Sequence, residues 1–193
     1  MARAWLALII LSISGCGIEN LLRADLPVII YIDSRFTEDE EQVIVSAMDE
    51  WNAKAGERLK SPGPVFIYVG RYVDEDGFRP EDLVDGRHVI YRVDHPTEDY
   101  YSLQGARTTG VYGYATLGDI LLFVFKFIDG PDGSDEREKH LFFVRMTVLH
   151  ELGHMLGLGH FEFQEDLMNA EAINVRHISE ADIEEFCILY ECK

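Results

Sequence analysis

The eleven residues His150 to His160, HELGHMLGLGH, constrain this chain more than any other stretch. On a helix, positions four apart lie on one face a turn apart, so His150 and His154 can aim their ring nitrogens at a single point. Zinc accepts such nitrogens at about 2.0–2.1 Å and needs a third protein ligand if a fourth position is to stay open for water. His160 can be that ligand only if the helix stops, because six residues beyond His154 is well over one turn. Gly157 and Gly159 supply the break, since glycine tolerates the left-handed backbone that ends a helix and folds the chain back. Glu151 lies about 100 degrees around the helix from His150, which suits it poorly to ligation. It is better placed beside a water on the metal, whose pKa zinc lowers to about 7, where a carboxylate can accept the proton and pass it on to a leaving group.

Upstream the pattern alternates between strands and a helix. Pro27 to Ile32 (PVIIYI) reads as a strand. Thr37 and Glu40 then have capping-box spacing, and Ile44, Ala47, Met48 and Trp51 share one helical face before Gly56 ends it. Val65 to Val69, His88 to Val93 and Ile120 to Ile128 read as further strands between turns rich in Gly, Pro and Asp. Phe123, Phe125 and Phe127 alternate at period two, a packing pattern rather than a cofactor site. The helix carrying the histidines is expected from about Leu141 to Leu156. No repeat or dividing linker interrupts the chain, so one domain is expected. This order describes an α+β fold: a twisted mixed sheet packed on an early helix and on the histidine-bearing helix, with a helical C-terminus.

Composition is ordinary for a globular domain, 47% apolar and 27% charged over 193 residues, but the net charge of -18 is not. Such a field opposes nucleic acid and anionic lipid and favours cationic partners, and its plainest role is solubility. The first sixteen residues, MARAWLALIILSISGC, stand apart from the fold. Arg3 precedes an apolar stretch, Trp5 to Ile13, too short to span a bilayer. Its close, Ile13-Ser14-Gly15-Cys16, resembles the lipobox of bacterial lipoproteins. The resemblance implies a signal peptide over residues 1–15, a lipidated Cys16 opening a tether over 16–25, and the domain over 26–193, held to the cell envelope by acyl chains at the outer membrane or cell surface. Secretion after an ordinary signal peptide is the alternative.

Cys187 and Cys192 then remain as an even pair in an exported chain. They can bridge only if the last helix ends near Leu189 or Tyr190, because residues five apart within a helix sit too far apart; two free thiols are the other reading. The oxygen-rich stretch at 129–136, DGPDGSDE, offers hard ligands for a structural calcium but does not match an EF-hand, and a solvated acidic turn is the preferred reading. His88, His95, His140 and His177 are read as surface or satisfied core histidines.

His150, Glu151, His154, Gly157 and His160 match HExxHxxGxxH, so the chain resembles the metzincin zinc endopeptidases. Asp166-Leu167-Met168-Asn169 is similar to their Met-turn, with Met168 eight residues after His160 as in the matrixin branch. The tail from Ser179 to Tyr190 is similar to the closing helix of matrixin catalytic domains. The resemblance implies a zincin fold, one catalytic zinc on the three histidines, Glu151 as general base, Met168 as the floor of the site and a polypeptide substrate. Matrixins often carry calcium and a second zinc, whose ligands do not map onto this chain. The sequence departs from the pattern in two places. No cysteine-switch prodomain has room between Cys16 and the first strand, and Ala170 stands where some relatives place a tyrosine after the Met-turn. A monomer is expected. The alternative function is a non-catalytic surface binding lipoprotein that keeps a structural zinc site; the intact Glu151 favours the enzyme.

Overall fold

The computed structural model describes residues 23–73, 86–94, 113–115, 118–124, 136–161, 165–169 and 175–193. Its elements run β1 (Val28–Asp33), α1 (Glu38–Lys54), a 3-10 turn (Gly56–Arg58), β2 (Phe66–Tyr72), β3 (His88–Val93), β4 (Gly113–Ala115), β5 (Ile120–Phe123), α2 (Glu136–Met155) and α3 (Glu180–Tyr190). Among the described residues, five strands form one sheet in the order β2-β1-β3-β5-β4. The first four in that order are parallel, and β4 pairs antiparallel with β5 at one edge. β1 lies inside the sheet although it comes first in sequence, as expected when the chain crosses over through α1 to reach the parallel β2.

Thr37 caps α1 as its spacing foretold: its side chain accepts from Glu40 N–H while the Glu40 carboxylate accepts from Thr37 N–H. Ile44, Ala47, Met48 and Trp51 are buried on one face of α1 and join Val144, Val148, Leu149 and Leu152 of α2 in the main core. The inner residues of β1, Val28, Ile30 and Ile32, pack into the same core. Helices and sheet thus share one apolar layer, which makes α2 a rigid base for whatever projects from its far end.

Several boundaries differ from the sequence reading. α2 starts five residues before the expected Leu141, since Glu136 to His140 are polar and the apolar stripe that marks a helix begins only later. Those residues reach α1 instead, Arg137 pairing with Asp39 and His140 Nε2 lying 2.7 Å from Glu40 Oε1. β2 continues through Tyr72, past the bulge where Gly70 takes φ 135° and the register with β1 shifts. β5 gives way to a 3-10 residue at Val124, and the rest of the expected strand to Ile128 lies outside the described residues. β4 has too few residues for alternation to reveal it.

Glu40 is buried at 2% exposure between α1, α2 and β3. Burial raises its carboxyl, but bonds from His140, the Thr37 backbone and Arg92 outweigh that and hold it at about 2 against an ordinary 4.5. A carboxylate depressed in the folded state contributes stability that is complete above pH 4.5 and lost as pH falls toward about 2. Acid unfolding of the wild type should therefore steepen across that window, and Glu40→Gln should remove the added steepness. Equal pH dependence in the two proteins would show that the network carries no linked stability.

The N-terminal residues described are packed, not free. Arg23 lies over the Tyr190 ring at 4.9 Å and donates to Leu189 O at 3.3 Å. The Tyr190 hydroxyl approaches Ala24 O at 3.3 Å and Leu156 O at 3.1 Å. Arg23 and Ala24 thus pack on the end of α3. α3 ends at Tyr190, Glu191 turns left-handed (φ 52°), and Cys187 and Cys192 are joined with their Cα atoms 4.7 Å apart. That turn meets the condition the sequence imposed on a bridge five residues long. Cys16 and residues 129–135 lie outside the described residues, while Glu136 opens α2.

Candidate metal centre and active site

α2 carries His150 and His154 one turn apart, and Gly157 ends it. The backbone closes in a Schellman pattern: Leu158 N–H donates to Gly153 O at 3.0 Å and Gly157 N–H to His154 O at 2.9 Å. Gly157 has φ 88°, a left-handed value that would strain any residue with a Cβ. Gly157 alone makes the break, because Gly159 is not among the positive-φ glycines described. The reversed chain brings His160 back over the helix end.

The three histidines form the one group among the described residues whose side chains could hold a metal ion, with ligand atoms within 4.8 Å of one another. His150 Nδ1 lies 2.7 Å from Leu167 O and His154 Nδ1 lies 2.8 Å from Leu158 O. A carbonyl only accepts, so both Nδ1 atoms carry the proton and both Nε2 atoms present a lone pair. Those Nε2 atoms face His160 Nε2 at 3.3 and 3.1 Å. At most one of these approaches can be a hydrogen bond, since His160 has a single Nε2 proton to give. Burial, the largest influence, pushes His150 down to about 4 and His154 to about 3, and also lowers His160. All three rings are therefore neutral near pH 7. Three inward-facing imidazole nitrogens with two tautomers fixed by backbone carbonyls fit a divalent zinc by ligand number and type.

Glu151 follows His150 on α2 and is 7% exposed. Met168 is fully buried. Gly153 lets it come close: a Cβ there would overlap Met168 Sδ and stand 3.3 Å from Trp51 Cζ2. Trp51 also donates from Nε1 to Leu149 O at 2.9 Å, tying α1 to the backbone just before His150. A glycine inside a helix costs about 1 kcal/mol against alanine, so Gly153 was the sequence signal of this close approach.

Asp182, in the first turn of α3, is the residue near the histidines that the sequence reading did not single out. Fully buried, its carboxylate accepts from Leu167 N–H at 3.2 Å, Met168 N–H at 3.1 Å and Ser179 N–H at 2.7 Å. One side chain thus caps α3 and holds the turn whose Leu167 carbonyl orients His150. The signal available was its position three residues after Ser179, which announces a cap but not the second duty.

A Schellman-terminated helix, a three-imidazole cluster beyond its end and a buried methionine against its Gly153 thus lie together. The family model for Matrixin matches residues 34–191, and the chain belongs to that family of zinc metalloendopeptidases. Its fold is shared with archaemetzincin from Methanopyrus kandleri, with a TM-score of 0.54 and 15% identity over 85% of this chain and 96% of that one. High choriolytic enzyme 1, a hatching enzyme zinc-protease from the medaka fish Oryzias latipes, matches with a TM-score of 0.45 and 15% identity over 93% of this chain and 99% of that one. No curated protein matches the sequence.

Proposed function

We propose that His150, His154 and His160 hold the catalytic zinc and that Glu151 is the general base of an endopeptidase acting on polypeptides outside the cytoplasm. The observation that carries this reading is the convergence of three Nε2 atoms while Leu167 O and Leu158 O occupy the Nδ1 positions of His150 and His154. When bound, zinc supplies Lewis acidity, polarising a carbonyl and acidifying water. The chain's own residues do the rest. Glu151 accepts a proton from the attacking water and returns it to the leaving amine. β4 lies at the sheet edge and contacts α2, so it can pair with an extended polypeptide drawn across the histidines. The acidic surface favours cationic approach.

Cleavage of an unstructured protein such as casein tests the reading: activity should vanish with a chelator and return on adding zinc. Cleavage that persists after the metal is stripped would contradict it. The lipobox-like Ile13-Ser14-Gly15-Cys16 further supports a lipid anchor at Cys16. The exported wild type should then partition into detergent and Cys16→Ser should not; equal partitioning would sink the anchor.

A further inference from the structure

His160 is exposed and lies outside the helix, beyond the Gly157 turn, so no helical hydrogen bond sets its direction. The next residue is where the chain is caught again. Phe161 N–H donates to Met168 O at 2.9 Å, and Phe161 O accepts from the Asn169 side-chain Nδ2 at 3.1 Å. Phe161 and Asn169 form a parallel bridge, and Asn169 N–H donates to Asp166 O at 3.2 Å, which closes the turn beneath. Asn169 is 7% exposed. Both peptide units that flank Phe161 are thereby bonded to the segment that also orients His150 through Leu167 O.

We infer that Asn169 is a positioning residue for the third metal ligand: its amide holds the Phe161 carbonyl and so sets the place of His160 relative to the two helical histidines. The inference rests on the three-histidine reading above. A carbonyl needs a donor, and within this pair only an amide nitrogen at position 169 supplies one from the side chain. Metal sites tolerate ligand displacements of only about 0.5 Å, and removing an outer partner of a ligand commonly costs about 10–100-fold in metal affinity. Leu167 O and Leu158 O do this for His150 and His154 by direct contact; for His160 the equivalent restraint acts one residue along the backbone.

Zinc release to a colorimetric chelator, followed on purified zinc-loaded protein, tests this without recourse to catalysis. Asn169→Asp keeps the shape but loses the donor, and Asn169→Ala loses it without adding charge, so one variant reads the effect if the other does not fold. Asn52→Asp is the control. Half-buried on α1, Asn52 likewise donates from Nδ2 to a backbone carbonyl, Phe66 O at 3.0 Å, on β2 at the end of the strand order opposite β4. The expected result is release at least about ten times faster for the Asn169 variants and within about twofold of wild type for Asn52→Asp. Wild-type release rates in the Asn169 variants would overturn the inference, as would equal acceleration in the control. His160→Ala, run alongside, separates the two levels: if it holds zinc as well as wild type, the ligand assignment itself fails, whereas if it loses zinc and the Asn169 variants do not, only the positioning role fails.

Discussion

Glu151→Gln should leave zinc occupancy near that of the wild type while casein turnover falls by about 10²–10⁴-fold, the range for loss of a positioned proton acceptor. Glutamine keeps the size and hydrogen-bonding reach of the side chain at a position 7% exposed, so packing around α2 should change little. It cannot accept a proton in the step that makes water a nucleophile. The three imidazoles, whose tautomers are set by Leu167 O and Leu158 O, remain in place. The loss should therefore fall mainly in kcat, with KM moving far less. Equal rates for the two proteins across a diverse peptide library would exclude Glu151 as the base. Zinc-loaded wild type that cleaves nothing in that library would instead favour the binding-protein alternative.

Asp182→Ala should cost about 3–5 kcal/mol of folding stability, measured by denaturant unfolding in excess zinc, because it strands two buried N–H groups and a third that is partly buried. The donors are Leu167, Met168 and Ser179, and the carboxylate they share has no exposed surface. Asp182→Asn keeps one acceptor oxygen and should cost less. The same substitutions free the turn that orients His150, so zinc should also leave faster. A change under about 1 kcal/mol for Asp182→Ala would mean that water or another group satisfies those donors, and the α3 contribution to the site would have to be withdrawn.

The three-histidine cluster is the most legible part of this chain because everything that builds it is local. Two histidines a turn apart, a left-handed Gly157 and a third histidine lie within eleven residues, so helix period and glycine chemistry suffice to bring them together. The cap at Thr37 and the face Ile44, Ala47, Met48 and Trp51 were legible for the same reason. What lay hidden depends on contacts between distant segments. The donors gathered by Asp182 lie as far as fifteen residues away along the chain, and nothing near Asp182 distinguishes it from an ordinary capping residue. Trp51 reads as core from its periodicity, yet its bond to Leu149 O spans 98 positions. Short apolar runs between turns predicted β1 and β3 but not their order in the sheet, which crossover handedness and burial decide. Arg23 and Ala24 carry no periodic pattern that would report their packing onto Tyr190.

If His150, His154 and His160 together hold one catalytic zinc, the metal content of the purified protein depends on all three. Wild type should carry about one zinc per chain through dialysis against a weak chelator, and His154→Ala should lose it while keeping its helical signal. Undiminished zinc in a folded His154→Ala protein would contradict the account.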